Sequence, residues 1–194
     1  FYSNIGVDFV GIARAIYNLI RYGKPAGGGS TITQQLVKTT LLSPEQTIER
    51  KIREAFLAYE ITRRYSKDKI LELYLNTIFY GNLAYGVQAA AEAYFDKDVQ
   101  ALSLGEAALL AGLPQAPALY DPCVDAEAAL NRARTVLNLM ADARYISREE
   151  SGRAAAEIFS EVNSDAFARR CQITASIQAP HFVANGILDF KRCE

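Results

Sequence analysis

Apolar positions recur at helical spacing along almost the whole chain. Val10, Ile12, Ala13, Ile16, Tyr17, Leu19 and Ile20 form a broad stripe that ends before Gly23 and Pro25. Ser30 can cap a helix carrying Ile32, Leu36 and Val37. Ser43-Pro44 reads as a stop and a new start, with proline suited to the first helical position. The next helix sets Ile48, Ile52, Ala55, Phe56 and Tyr59 on its apolar face. Ser66 can cap a short helix carrying Ile70, Leu71, Leu73, Tyr74 and Leu75.

Asn76 to Tyr85 reads as irregular, with Gly81 and Gly86 as hinges, and Val87 to Phe95 returns to helix. Ser103-Leu-Gly-Glu106 and Ser147-Arg-Glu-Glu150 are capping boxes, each followed by a helical run. Pro114, Pro117 and Pro122 break the chain between them, and Ala126 to Ala143 is helical. Cys171 to Ile177 alternates and reads as extended. The pattern predicts a mainly α fold with little sheet, in one globular unit.

Composition narrows the function. The 194 residues are 50% hydrophobic and carry a net charge of -1, which argues against general affinity for nucleic acid. One histidine and three scattered cysteines form neither a disulfide-dense scaffold nor a metal-ligand cluster. No apolar run approaches the roughly 18 residues of a membrane span. With no start methionine and no signal-peptide pattern, Phe1 reads as a cut end. The charge is uneven: residues 1–70 hold 11 basic and 6 acidic side chains, and residues 71–194 hold 10 and 16. The basic front suits either an anionic partner or a solvated helix face.

Candidate chemistry gathers in that front part. Gly27-Gly28-Gly29-Ser30-Thr31 opens a helix, where free N–H groups and the dipole favour an anion; a flexible linker explains the glycines equally well. It lacks the Gly-Lys-Ser/Thr ending of a nucleotide loop. Thr31, Gln35 and Lys38 fall at i, i+4 and i+7, a polar face fit for phosphate or sugar, or simply for water. In Glu49-Arg50-Lys51-Ile52-Arg53-Glu54, Arg50 and Glu54 are spaced to pair, as are Glu49 and Arg53. Glu54 borders an apolar face, so partial burial beside Arg50 would make it a functional acid. The lone His181, beside Pro180, suits ordinary polar packing.

Taken in order, these stretches resemble the peptidoglycan glycosyltransferases (glycosyltransferase family 51). The resemblance rests on Gly28-Gly-Ser-Thr-Ile-Thr-Gln-Gln-Leu-Val-Lys38, Arg50-Lys-Ile-Arg-Glu54 and Lys69-Ile-Leu-Glu-Leu-Tyr-Leu-Asn76. Phe79-Tyr-Gly81, Gly86, Ala91-Glu-Ala-Tyr-Phe95 and the run from Glu106 to Pro117 continue it. It spans Phe1 to about Ile146, and Ala179-Pro-His-Phe-Val183 resembles the stretch leading out of this domain in two-domain penicillin-binding proteins. It implies a glycosyltransferase domain over residues 1–160, truncated at its start, with 161–194 as an extension or linker to a following domain.

The resemblance also implies a lysozyme-like helical fold with a large lobe and a smaller, membrane-associated lobe. The implied reaction polymerises lipid II into β-1,4-linked glycan and releases undecaprenyl pyrophosphate, with inversion at the donor. Glu54 matches the second catalytic glutamate, on the donor side. Thr31, Gln35 and Lys38, with Arg50 and Lys51, match the substrate-binding motif and its basic pair, and Asn4 and Asn76 complete the matched set. Implied partners are lipid II, the nascent glycan, the outer face of the cytoplasmic membrane and a transpeptidase domain in the same parent chain. Moenomycin-type inhibitors belong to the same picture. A divalent cation, Mg or Mn, is the implied cofactor.

The chain departs from the family pattern at its start. Phe1-Tyr-Ser-Asn-Ile-Gly6 matches only the second half of the first family motif, and Asn4 stands where the family has histidine. The first catalytic glutamate and the acidic cation ligands would precede Phe1, so this stretch is expected to be inactive alone. A lysozyme-like hydrolase would share the fold but has no pyrophosphate leaving group for Lys38, Arg50 and Lys51 to hold. A helical interaction module would keep its role without Glu54. The pairing of Cys123, Cys171 and Cys193 is open at this level.

Overall fold

Residues 1–23, 30–41 and 47–177 are described by a computed structural model. Among them run α1 (Phe9–Tyr22), α2 (Ile32–Thr40), α3 (Ile48–Arg64), α4 (Lys67–Thr77), α5 (Val87–Phe95), α6 (Leu104–Gly112), α7 (Pro117–Tyr120), α8 (Ala126–Asp142), α9 (Arg148–Val162) and α10 (Asp165–Ile177). The pairing of extended backbone among the described residues is one isolated antiparallel bridge, Phe79 with Tyr85. The mainly α expectation holds. Instead of one globular unit, the chain divides into two compact units, Phe1–Ile78 and Phe79 onward.

In the first unit, α2 packs on both α3 and α4. Its cap is Thr31 and not Ser30. The Thr31 hydroxyl accepts from Gln34 N at 3.1 Å, and the Gln34 side-chain oxygen accepts from Thr31 N at 3.0 Å. This reciprocal box satisfies two orphan amides, and only Thr31 has glutamine at the required spacing. Thr47 caps α3 and Ser66 caps α4. The Ser43-Pro44 start and the Gly27–Gly29 segment lie outside the described residues.

The face expected to bury on α3 is the wrong one. Ile52, Phe56 and Tyr59 are exposed, whereas Glu54 and Ala58 are fully buried. Apolar spacing identifies side chains that share a face; it does not say that protein covers it. Phe9, Val10, Tyr17 and Ile20 of α1 are exposed too. Gly6 explains how closely the segment before α1 approaches α3: its φ is +103°, and a Cβ there would meet the Ala58 carbonyl at 2.6 Å.

The second unit is built around α6, α8 and α9, which pack on one another. Ala108, Leu137 and Ala154, one from each, form a buried cluster. Both expected capping boxes are present, Ser103 with Glu106 and Ser147 with Glu150. The Cys171–Ile177 segment, expected to be extended, is the last part of α10. Phe167 is buried, Arg170 Nε donates to the Tyr94 carbonyl at 2.9 Å, and Cys171 is disulfide-bonded to Cys123. Positions three and four apart meet one surface only on a helix, so tertiary contacts override the local alternation. Asn76 and Thr77, expected to be irregular, instead complete α4.

Candidate active site

Glu54 lies on the buried face of α3, at 1% exposure. Its Oε1 accepts from Lys51 Nζ at 2.5 Å, one helical turn earlier. The same ammonium donates to Ser30 Oγ at 2.6 Å. Lys51 therefore ties α3 to the residue preceding the cap of α2. Glu54 Oε2 is buried with no partner among the described residues. A buried carboxylate with an open oxygen is costly unless charge or a ligand meets it.

The expected Arg50–Glu54 pair does not form. Arg50 Nε and Nη1 are instead buried without a partner among the described residues. Lys51, three residues before Glu54, reaches the carboxylate and holds Ser30 as well. Glu49 and Arg53 do pair, at 2.6 Å, but both are well exposed, where such a pair contributes little.

On α2, Lys38 is exposed and Gln35 half-buried. Gln35 Oε1 accepts from the Tyr74 hydroxyl of α4 at 3.1 Å. Thr31 does not present a hydroxyl beside them in the way its spacing suggests. As the cap it accepts from Gln34 N, and it donates to the Gly6 carbonyl at 2.6 Å. Asn4 is likewise committed: its Oδ1 accepts from Gly6 N at 2.7 Å and its Nδ2 donates to the Val7 carbonyl at 3.4 Å. Asn76 is exposed on the last turn of α4.

Sequence reasoning missed several polar groups here. Thr33 Oγ1 and Gln34 Nε2 on α2, and Thr62 Oγ1 on α3, are buried without partners among the described residues. Lys67 was missed as well. It donates to the Asn4 carbonyl and sits over the Phe1 ring, 4.8 Å from its centroid, and burial lowers its pKa.

Among the described residues no three His, Cys, Asp or Glu side chains converge to hold a metal ion. The described residues therefore offer no ligand set of their own for the implied cation. Two cavities of about 480 Å³ each lie between α8 and α9 and contain no candidate site residue.

A helical unit that buries an acid beside basic side chains at a helix start defines a class of anion-handling enzyme sites, and the comparisons specify which. The family described as Transglycosylase matches residues 1–141. Penicillin-binding protein 1A of Neisseria lactamica is 49% identical over 79% of this chain and 19% of its own length. Penicillin-binding protein 1A of Aquifex aeolicus is 53% identical over 77% of this chain and 21% of its own. The crystal structure of penicillin-binding protein 1A from Haemophilus influenzae matches at 35% identity and TM-score 0.45, covering 64% of this chain and 15% of that one. The chain spans about a fifth of the length of these curated relatives. It belongs to the transglycosylase family.

Proposed function

We propose that this chain supplies the donor half of a lipid II polymerase site. The acceptor 4-hydroxyl attacks the donor anomeric carbon, the bond from that carbon to the pyrophosphate oxygen breaks, and the hydroxyl proton passes to a base. Negative charge grows on the departing pyrophosphate, and positioned cations lower that barrier most where they are fixed beforehand. Lys51 is fixed in this way by Ser30 and Glu54. Lys38 and Arg50 add charge, Gln35 adds an amide donor, and Asn76 offers a further exposed amide. Thr31 and Asn4 act by holding the segment through Gly6 in place.

The observation that carries this reading is the buried Glu54 carboxylate, with one oxygen on Lys51 and the other without a partner among the described residues. A purely structural acid would have both oxygens satisfied. The exposed Phe9, Val10, Tyr17 and Ile20 of α1 support membrane contact, because a surface with so many large apolar side chains calls for a partner. No helix among the described residues is long and apolar enough to cross a membrane. The setting that accommodates a lipid-linked donor is the outer face of the cytoplasmic membrane. The greater length of the relatives is consistent with a transpeptidase domain in the same parent chain.

The test is glycan synthesis from lipid II by the full-length protein, with and without Glu54→Gln. Loss of about 10²–10³ in rate is expected, the range for removing one preorganised electrostatic group. Polymerisation at the unaltered rate would overturn the assignment of Glu54.

A further inference from the structure

Resting on the reading of Gln35 as a substrate-binding residue, we infer that Tyr74 is its positioning residue. Tyr74 would fix the Gln35 amide so that its nitrogen, and not its oxygen, is presented to the substrate. Tyr74 lies in the sequence motif on α4 but none of the roles above falls to it. It is 8% exposed, yet its hydroxyl reaches out of the core to Gln35 Oε1 at 3.1 Å.

An amide is ambivalent: a turn of about 180° about its last bond exchanges two donors for an acceptor. Against a phosphate oxygen the wrong orientation places oxygen against oxygen. Among the described residues no side chain of α2 fixes that choice for Gln35, whereas the phenol fixes it from α4. A hydroxyl donating to Oε1 leaves the Nε2 hydrogens as the exposed face. It also polarises the amide, which strengthens those hydrogens as donors. Burial raises the Tyr74 pKa, so the phenol keeps its proton and remains a donor through the neutral and mildly alkaline range. The packing of α2 on α4 makes the arrangement rigid. Tyr74 touches no reacting atom in this account and acts entirely through Gln35.

The experiment is binding of a fluorescent lipid II in detergent micelles to the chain and to Tyr74→Phe, Gln35→Ala and the double variant. Tyr74→Phe keeps the ring and its burial and removes one oxygen. Each single variant is expected to weaken binding about threefold to tenfold, the reach of one hydrogen bond, with the double variant no weaker than Gln35→Ala. Melting temperatures report whether Tyr74→Phe has merely loosened the α2–α4 contact. The Gln35 side-chain amide resonances of the free protein, which should shift or split in Tyr74→Phe, read the orientation without any ligand. If Gln35→Ala binds as before, Gln35 is not a substrate contact, and both the underlying reading and this inference fall. If Gln35→Ala weakens binding but Tyr74→Phe does not, or the two losses add, the inference alone is overturned. Unchanged Gln35 resonances in Tyr74→Phe would overturn it as well.

Discussion

Each of the two compact units contains a buried glutamate paired with a lysine, and the two differ in how their oxygens are used. Glu106, 3% exposed, accepts from Lys97 at 2.6 Å through Oε1 and from the Ser103 amide at 2.7 Å through Oε2. Glu54, 1% exposed, accepts from Lys51 through Oε1, and its Oε2 has no partner among the described residues. The same contrast runs through the units. Of the buried side-chain atoms without partners among the described residues, those of Thr33, Gln34, Arg50, Glu54 and Thr62 belong to the first unit, and that of Asn82 belongs to the second. Buried polar groups are almost always satisfied because an orphan forfeits its hydration without return. A concentration of orphans therefore marks the unit that spends stability on function, and a satisfied carboxylate marks the one that supports it.

The largest expected effect breaks the comparison directly. Glu54→Gln should abolish most polymerisation with little change in melting temperature, since the lost Lys51 contact is offset by the removal of a buried charge with an unmatched oxygen. Glu106→Gln should do the reverse. It weakens the cap of α6 and strands Lys97, at about 1–3 kcal/mol of stability in a urea titration, with the rate per folded molecule retained. If both variants lose stability alike and neither loses activity beyond its unfolded fraction, the two glutamates are equivalent and the contrast is empty.

How far this was visible in the sequence depends on the range of the forces involved. Ser103 and Ser147 start helices as expected, because a capping box is complete within four residues. Ser30 against Thr31 was a choice between neighbours, settled by whether glutamine stood three positions on. The family motifs placed Glu54 and its basic neighbours in a site. They could not say that Lys51 and not Arg50 holds the carboxylate, since both spacings are helical neighbours and Ser30 decides between them from outside α3. The exposed Ile52–Phe56–Tyr59 face and the helical Cys171–Ile177 segment were misread for one reason. Periodicity records the pattern of a segment, and what covers that segment is set by residues far along the chain.

A smaller effect sharpens the view of the second unit as scaffold. Cys123 and Cys171, 48 positions apart, tie the segment before α8 to α10. Closing a loop of that length stabilises a fold by about 2–4 kcal/mol, mainly by restricting the unfolded chain. Cys171→Ser, or treatment with a thiol reductant, should lower the urea midpoint accordingly. Lipid II binding at the first unit should persist under conditions where the protein remains folded. An unaltered midpoint would show that the bond adds nothing to Phe167 and Arg170, which already hold α10 through burial and the Tyr94 carbonyl.

The smallest effect concerns a carboxylate at the surface and has a defined direction with pH. Glu150 at the start of α9 accepts from the Ser147 amide at 2.7 Å. That backbone hydrogen bond, followed by the Ser147 hydroxyl and the charge of Arg153, holds its pKa below the ordinary glutamate value. A carboxyl whose pKa is lower folded than unfolded binds fewer protons when folded. Its contribution is therefore fully present above the ordinary glutamate pKa of 4.5 and fades as pH falls through the depressed folded value. Comparing the urea midpoints of the unaltered protein and Glu150→Gln over this range isolates the term, because glutamine keeps an acceptor but has no titration. The unaltered protein should lead at neutral pH, and its lead should shrink steadily on acidification. A lead that grows as pH falls would mean that Glu150 titrates in the opposite sense, and the box at Ser147 would then owe nothing to its charge.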